Sequence, residues 1–359
     1  MQESQGVSAL AELTEPIEAD VAADEATRAL DRQLLIDSRR YASESRRQSW
    51  WHFGTTLLAL TCSAAVAGLC EPLWLRLLGS LLTGLVLVRL FIVYHDFQHQ
   101  AMFKGSLLAN ALLALYGYVM LTPPSVWRRS HDHHHRHNSK LFGASIGSFP
   151  IMTTDTYAAA SRRERLEYRL ARSPLVIVLG YLTVFMFGMC VRPLLLDPRR
   201  HWDAPVSLLI HFGLIGGLVW LADWQTALLA FVLPTWIAST AGAYLFYIQH
   251  NFPDAKIRRC EEWSYTKAAL KSSSFLELGP VLHWLTGNIG YHHVHHLNAK
   301  IPFYRLPEAM AGLEPLQSPA RTSLRLKHIA GCLRLKLWDT RLDRFVSFAD
   351  AQQVSITAG

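Results

Sequence analysis

The chain has 359 residues, of which 50% are hydrophobic and 18% are charged, and its formal net charge is +7. An apolar fraction of this size, with several runs of about 20 residues that carry little charge, is typical of an integral membrane protein and argues against a soluble enzyme. The positive charge fits an anionic membrane face or an acidic protein partner, and we expect no nucleic acid partner. The five scattered cysteines form no CxxC pair and indicate neither a disulfide framework nor an iron-sulfur cluster.

Residues 1–45 are predicted to be an acidic, disordered tail. Seven acidic residues lie among the first 25, and no basic start is followed by an apolar core. We therefore expect a solvated segment and no cleavable signal peptide. A membrane domain is predicted over residues 46–320.

Six apolar stretches follow the tail, and four of them are predicted to cross the membrane. They cover residues 51–70, 73–94, 106–122, 174–195, 205–221 and 225–247. Four histidine-rich segments lie between and after these stretches, at residues 95–99, 131–137, 249–251 and 292–296. If they form one site, they must all lie on the same side of the membrane, so the number of crossings between any two of them must be even. We therefore expect 106–122, which Pro123-Pro124 ends, to dip into the membrane or lie at its surface, and 174–195 not to cross. The predicted spans are 51–70, 73–94, 205–221 and 225–247.

Basic and aromatic residues predict the orientation of these spans. Four arginines, at positions 39, 40, 46 and 47, precede the first span, and no basic residue joins the first pair. The positive-inside rule then places both termini and all histidine segments on the cytoplasmic side. Arg76 and Arg89, inside the second span, are expected to snorkel to its far and near ends. Five tryptophans are expected to mark the cytoplasmic interface: Trp50, Trp51, Trp127, Trp202 and Trp263.

Histidines are concentrated in four short segments. Twelve of the 17 fall in 95–99, 131–137, 249–251 and 292–296. Neutral imidazole is the commonest protein ligand for iron, copper, nickel and zinc, so this concentration predicts a metal site. His95 and His99 are four residues apart and share one face if the second span continues as a helix.

The second segment has the spacing HxxHH. On a helix, His131, His134 and His135 lie within about a third of a turn, whereas His133 and His137 point to the opposite side. Spacing alone also permits the register in which His133 and His137 act with His134. The first set is the better ligand set, and the second stays open.

The third segment repeats the HxxHH spacing with His292, His295 and His296, while His293 lies off that face. His250 follows the last span directly, which delivers it to the same surface. The candidate ligands number nine. One tetrahedral zinc needs four, so nine imidazoles predict two metal ions.

The order HxxxH, HxxHH, HxxHH, with Gln249-His250 at the end of the last span, resembles the membrane-bound fatty acid desaturase family. The segments 245–252 and 287–297 are similar to its bacterial acyl-lipid desaturases, and the similarity runs from about Arg89 to Pro307. It implies an all-α, four-span protein of the bacterial inner membrane. A cytoplasmic helical cap would hold two non-haem irons that remove two hydrogens from the acyl chain of a lipid with O₂.

The resemblance also implies the site residues and the partners. Carried over residue by residue, the iron ligands are His95, His99, His131, His134, His135, His250, His292, His295 and His296. The chain departs from the family's pattern at His133, His137 and Gln98 without changing the ligand spacing. It has no His-Pro-Gly-Gly haem-binding stretch, so electrons would come from a separate protein, a ferredoxin or a cytochrome b5-like protein.

Residues in or beside the histidine segments could orient the ligands through hydrogen bonds to their ring N–H groups. They are Asp96, Asp132, Asn288, His133, His137 and His293. Five lone histidines stay outside the predicted site, and His211 among them is expected to be a satisfied buried residue: His52, His201, His211, His283 and His328.

Residues 321–359 are predicted to be a basic amphipathic tail in which 321–344 forms one surface helix. Contact with a membrane or an acidic partner, and an ordinary solvated helix face, are both compatible with that pattern. The sequence therefore leaves the role of this tail open.

Two other functions remain compatible with the histidine pattern. A hydroxylase or ketolase acting on an alkane, sphingoid or carotenoid chain uses similar boxes. A metal-ion transporter would need polar ligands near the middle of the membrane, and the predicted spans are almost bare of them. Desaturation is the leading hypothesis.

Overall fold

Helices account for most of the chain in the computed structural model, which describes residues 28–143 and 147–357. In chain order they are α1 (28–38), α2 (Arg46–Leu69), α3 (Leu73–Gln98), α4 (Leu107–Val119), α5 (Pro124–His137), α6 (Thr154–Ala159), α7 (Arg162–Ala171), α8 (Pro174–Val178), α9 (Arg192–Leu196), α10 (Asp203–Leu221), α11 (Trp224–Ala227), α12 (Leu233–Ile248), α13 (Tyr265–Ser272), α14 (Pro280–Leu285), α15 (His292–Leu297), α16 (Leu306–Gly312), α17 (Leu326–Arg334) and α18 (Phe348–Thr357).

Shorter elements complete the described chain. The π-helical segments Tyr181–Val191 and Leu228–Val232 lie between α8 and α9 and between α11 and α12. Single 3₁₀ turns are Arg39–Tyr41, Phe303–Arg305 and Glu314–Leu316. The strands are β1 (Phe275–Glu277), β2 (Arg321–Ser323), β3 (Leu337–Asp339) and β4 (Arg344–Val346).

Within the described residues, four helices are long and apolar enough to cross a membrane. They are Arg46–Leu69, Leu73–Gln98, Asp203–Leu221 and Trp224–Ile248, the last of which joins α11, a π-helical segment and α12. Each coincides with one predicted span. The prediction of a mostly helical protein with four possible membrane spans is confirmed.

Helix α3 is the central span. In an apolar window of 18 residues, 67% of the residues of α3 are buried within the protein, compared with 22% in α2 and 17% in α10. It packs between α2 and α12, and the contact with α12 is so close that a Cβ on Gly84 would lie 2.7 Å from the Cβ of Ile237. Because α3 is held on both sides, the position of its last turn, which carries His95 and His99, is well defined.

The two apolar stretches that were not expected to cross alone are broken or short. Ser106 caps the start of α4, and Pro123 and Pro124 stop the chain from continuing straight into α5, which begins at Pro124, so that the two helices meet at 90°. Such a bent pair is either a broken span or a re-entrant element. The stretch 174–195 contains the first π-helical segment, which continues into α9. Together they form the apolar helix Tyr181–Leu196, which is shorter than the roughly 20 residues that a span needs.

The amino-terminal prediction is wrong for residues 28–45. Residues 28–38 are helical, and Leu34, Ser38 and Tyr41 are buried against the rest of the protein. The Ser38 hydroxyl accepts a hydrogen bond from Asn298 Nδ2 at 2.9 Å. These apolar contacts were not apparent beside the acidic composition. The predicted disorder of residues 1–27 lies outside the described residues.

The carboxy-terminal prediction is wrong as well. Strand β2 pairs in parallel with β1, Arg321 lying opposite Phe275, and β3 pairs antiparallel with β4. Of the predicted helix over 321–344, only α17 is helical. The expected boundary at residue 320 also fails, because β2 completes a sheet with a strand of the preceding domain and Trp338 packs in a core with Phe252.

Charged and aromatic residues near the membrane ends follow the prediction in part. Arg76 donates to the Ala67 carbonyl at 2.9 Å and to Thr226 Oγ1 at 3.1 Å, at the far end of the bundle. Arg89 does not snorkel: it is 2% exposed, donates to Thr56 Oγ1 at 3.0 Å, and lies over the Trp284 ring at 4.2 Å. Trp127 is buried within the protein, whereas Trp51 and Trp202 are exposed, as the prediction requires of residues that face an interface. His211 is buried and hydrogen-bonded to Tyr181 and to the Val119 carbonyl, as expected.

Candidate metal centre

The last turn of α3 supplies the first pair of histidines. His95 and His99 lie one above the other, with ring centroids 4.7 Å apart. The neighbouring carboxylate of Asp96 accepts from His95 Nδ1 at 2.9 Å, and its other oxygen accepts from the Phe303 amide at 2.6 Å. Because Nδ1 of His95 carries the proton in this contact, its Nε2 presents a lone pair.

Helix α5 supplies three histidines on its inner face. His131, His134 and His135 are buried, whereas His133 and His137 stack on each other at 4.0 Å on the other side. His133 contacts the Gly143 carbonyl at 2.8 Å, and neither it nor His137 joins the other rings. The structure therefore favours the first of the two registers that spacing allowed.

The remaining imidazoles come from α15 and from the residue two positions beyond α12. A tight turn precedes α15, with Gly287 at φ 51° and Asn288 at φ 53°, so the chain turns sharply before His292. Residues His292, His295 and His296 are buried. His250 Nδ1 donates to the Ser272 carbonyl at 2.9 Å, which fixes the proton on Nδ1 and leaves Nε2 as the acceptor.

These nine side chains form two groups, within each of which the candidate ligand atoms lie within 4.8 Å of one another. The five-histidine group consists of His95, His99, His131, His135 and His295. The four-histidine group consists of His134, His250, His292 and His296. Helices α5 and α15 contribute to both groups, so the two centres share their scaffold.

The four-histidine group forms a closed ring of Nε2 atoms. The sides measure 3.0 Å from His134 to His250, 2.9 Å from His250 to His292, 3.2 Å from His292 to His296, and 3.2 Å from His296 to His134. Imidazole nitrogens bound to one ion at roughly 2.1 Å lie about 3.0 to 3.4 Å from their neighbours, so all four atoms could be ligands of one ion.

The five-histidine group has the same short separations. The Nε2 atom of His131 lies 3.0 Å from that of His95 and 3.1 Å from that of His135, which lies 3.0 Å from Nε2 of His295. The Nε2 atom of His99 is buried and has no hydrogen-bond partner in the described part of the chain. Lone pairs brought this close repel one another unless a cation lies between them, so the donor set suits a metal ion.

Burial keeps these imidazoles neutral. Desolvation lowers the pKa of His250 to about 4. Desolvation, followed by repulsion from His292, holds the pKa of His296 well below its usual value, and burial acts in the same direction on His135. Neutral imidazole is the form that binds metal, so the site is prepared for an ion at neutral pH.

Of the residues expected to orient the ligands, Asp96 contacts one directly. Asn288 is one step further away: its Nδ2 donates to the Phe303 carbonyl at 3.2 Å, and the Phe303 amide holds Asp96. His293 is buried and contacts the Leu316 carbonyl at 3.0 Å, away from both groups. Asp132 lies beside Arg136, whose Nε donates to its carbonyl oxygen at 3.1 Å.

Sequence reasoning missed two supports of the site. Trp127 stacks on the His131 ring with centroids 4.4 Å apart, and its position four residues earlier on the same helix was the available signal. The Ser272 carbonyl, which holds His250, belongs to α13. No residue type marks a backbone acceptor, so that contact had no sequence signal.

An apolar cavity of about 450 Å³ adjoins both groups. Its wall includes His95 and His131 of the five-histidine group and His292 of the four-histidine group. Most of the remaining wall is apolar and comes from α3, α12 and the π-helical segment Tyr181–Val191, including Phe91, Phe185 and Leu245. A cavity of this size and lining is typical of a site for an apolar ligand.

Comparison with known proteins places this arrangement among its relatives. The family model described as fatty acid desaturase matches residues 72–326. A fatty acid desaturase of Bacillus subtilis (strain 168) is 36% identical over 272 residues, which are 76% of this chain and 77% of that protein.

Two acyl-lipid desaturases are more distant relatives. The sn-1 acyl-lipid omega-3 desaturase (ferredoxin) of Nostoc sp. (strain 36) is 26% identical and covers 75% of this chain and 76% of its own length. The sn-1 oleoyl-lipid 12-desaturase of Synechocystis sp. is 22% identical and covers 66% of this chain and 68% of its own length.

Proposed function

The chain belongs to the fatty acid desaturase family, and we propose that it is a di-iron acyl-lipid desaturase. The reaction converts two neighbouring methylene groups, O₂, two electrons and two protons into a double bond and two molecules of water. The observation that carries this proposal is the pair of largely buried histidine groups beside one mostly apolar cavity. The names of the relatives favour desaturation over hydroxylation, keto-group formation and metal transport.

The nine imidazoles are proposed to hold two irons, one in each histidine group. Breaking an unactivated methylene C–H bond needs a stronger oxidant than any side chain, and bound iron supplies that chemistry with O₂. The chain's own contribution is to keep the ligands neutral and fixed. Asp96 sets the proton of His95 on Nδ1, and the Ser272 carbonyl does the same for His250.

The cavity is proposed to hold the acyl chain. His95, His131 and His292 in its wall would bring the methylene groups beside both centres. The apolar residues that form most of the wall would exclude water, which limits competing reactions, and would align the chain by van der Waals contacts. A lipid-bound substrate fits this arrangement because the cavity lies among the apolar helices.

Electrons are proposed to come from a separate protein that docks on the outer face of α5. Arg129 and Arg136 are exposed there, on the helix whose inner face carries His131, His134 and His135. A partner with an acidic surface would be attracted to this face and would approach the ligands across one helix. Ferredoxin, which appears in the names of two relatives, is a donor class to test.

The histidine side of the bundle is proposed to face the cytoplasm of a bacterial inner membrane. Cys70 follows α2 at one end of the bundle, and exposed Cys260 lies beyond α12 at the other. A membrane-impermeant maleimide should therefore label Cys260 in inside-out vesicles and Cys70 in right-side-out vesicles. The reverse pattern would contradict the orientation.

Fatty acid profiling in a heterologous host tests the activity. Expression should produce new unsaturated acyl chains in the host lipids, detectable by gas chromatography with mass spectrometry. His134→Ala should abolish them, because it removes one corner of the four-histidine ring. His133→Gln is the matched control, since His133 lies next in sequence but on the outer side of α5. Hydroxylated or keto chains without new double bonds would contradict the proposed reaction.

A further inference from the structure

A basic pocket lies beside the start of α8, away from the nine histidines. It has a volume of about 540 Å³, and its wall is formed by α7, the turn into α8, Lys336 and the first turns of α18. Three cationic side chains line it, Arg169, Arg172 and Lys336, and none of its lining residues is acidic. The proposed metal chemistry uses none of these residues.

Two of the three cations are buried without a carboxylate partner among the described residues. Arg172 is 2% exposed: its Nη2 donates to Asn251 Oδ1 and to the Leu335 carbonyl, while its Nε has no hydrogen-bond partner in the described part of the chain. Lys336 is 8% exposed and donates to the Arg172 carbonyl. Buried cations are ordinarily paired with an anion, because neutral oxygens compensate only part of the desolvation.

The cationic groups of Arg172 and Lys336 lie beside the same aromatic ring. Arg172 and Lys336 both lie over the Tyr247 ring, at 5.0 Å and 5.7 Å from its centroid. Arg169 is exposed and lies over the Phe348 ring at 5.2 Å. Two buried like charges so close to each other repel, and a shared anion would relieve both.

We propose that this basic pocket binds a phosphate group. A guanidinium and an ammonium group around one concave site are the donors that proteins use for phosphate oxygens. The unpartnered Nε of Arg172 shows that this guanidinium has donor capacity left after its contacts within the chain. The phosphate belongs either to a lipid headgroup or to free inorganic phosphate.

The position of the pocket favours the lipid headgroup. Ala171 lines the apolar cavity and the next residue, Arg172, lines the basic pocket. Tyr247, beneath the two cations, packs edge-on against Phe149 of the cavity wall at 4.9 Å. A phospholipid could therefore place its phosphate in the pocket and an acyl chain in the cavity, an assignment that rests on the proposed desaturase function.

Ligand binding to the full-length protein in detergent tests the site. The probes are dioctanoyl phosphatidylglycerol, dioctanoylglycerol, which lacks the phosphate, and inorganic phosphate, each titrated while the unfolding temperature is followed. The phosphatidylglycerol probe should raise that temperature and dioctanoylglycerol should not. Arg169→Gln and Lys336→Met should each weaken binding about tenfold, the effect of losing one charge-assisted hydrogen bond.

Arg162→Gln is the matched control, because Arg162 is an exposed arginine of α7 that does not line the pocket. Arg169→Gln keeps the test decisive if Lys336→Met fails to fold, since Arg169 is exposed. Binding of phosphatidylglycerol alone supports a headgroup site, and equal binding of inorganic phosphate supports a free-phosphate site.

The proposal is overturned if the phosphate-bearing probe binds no better than dioctanoylglycerol, or if both pocket variants bind like the wild type. The measurement needs neither iron nor an electron donor. Failure of desaturation would therefore leave the phosphate site standing, and loss of the site would leave the desaturase proposal standing.

Discussion

The two histidine groups differ in how they are held and in how much of each centre the imidazoles fill. The five-histidine group is supported by a carboxylate, Asp96, which bonds to His95. The four-histidine group is supported by a backbone carbonyl, that of Ser272, which bonds to His250. It offers four imidazoles, one fewer than the five-histidine group.

This difference separates two tasks. A carboxylate behind an imidazole raises its basicity and fixes its orientation, which favours tight metal binding. Open positions on an ion are what a reacting molecule needs. We therefore expect the five-histidine group to hold its iron more tightly, and the four-histidine group to offer more room for a non-protein ligand.

The largest expected effects come from removing one imidazole from each group. His296→Ala leaves three ligands in the four-histidine group, so we expect the loss of one iron. Activity should fall at least about a hundredfold, which is more than the usual effect of removing a residue that only supports a ligand. His99→Ala leaves four ligands and should retain more iron while still losing activity. Iron content and product formation are measured on the same preparations. Equal iron loss in the two variants would remove the proposed difference between the groups.

The support of His95 is expected to have the next largest effect. Asp96→Asn keeps the shape but removes the charge behind His95, and should weaken iron binding about 10- to 100-fold. Ser272→Ala is the control, because Ser272 supports His250 through its backbone carbonyl, which the substitution retains. Chelator titration followed by iron analysis measures both. Iron retention equal to that of the wild type in Asp96→Asn would contradict a role for the carboxylate.

Filling the cavity should change substrate use more than metal content. Gly242 lines the cavity, and a Cβ there would lie 3.7 Å from Phe185 Cζ, an ordinary contact. Gly242→Ala should therefore be nearly neutral, whereas Gly242→Leu should lower desaturation of long chains about tenfold, because buried overpacking costs roughly 1–3 kcal/mol. Fatty acid profiles decide, and an unchanged profile in Gly242→Leu would argue against an acyl chain in this cavity.

Acid is expected to act through the same imidazoles with a smaller effect near neutrality. The pKa of His250 is lowered to about 4 in the folded protein, so below the usual pKa of 6.5 the unfolded chain binds protons that the folded chain excludes. Stability of the metal-free protein should be constant above about pH 7 and fall as pH drops from about 6.5 toward 4. Unfolding temperatures at pH 7.5 and 5 measure this, and equal values would contradict burial of neutral histidines.

Features that depend on one helix could be predicted from the sequence. The four spans follow from apolar length, and the inner face of α5 follows from the HxxHH spacing. Asp96 adjoins His95 in the chain, so its contact could also be expected.

Features that depend on tertiary packing could not be predicted. Neighbours on α5 serve different groups, His134 in one and His135 in the other, because that choice depends on where α15 and His250 lie. The pairing of β2 with β1 joins residues far apart in sequence, and neither three-residue strand has a strong pattern of its own. The basic composition of residues 321–344 therefore predicted one surface helix, whereas these residues form strands and a short helix that pack as part of the domain.

Iron stoichiometry of the purified wild-type protein tests the central claim most directly. Two histidine groups, each with at least four imidazoles, predict two irons per chain, with loss of activity on chelation and recovery when iron is restored. Full desaturase activity with one iron or none per chain would contradict a di-iron centre built from these nine histidines.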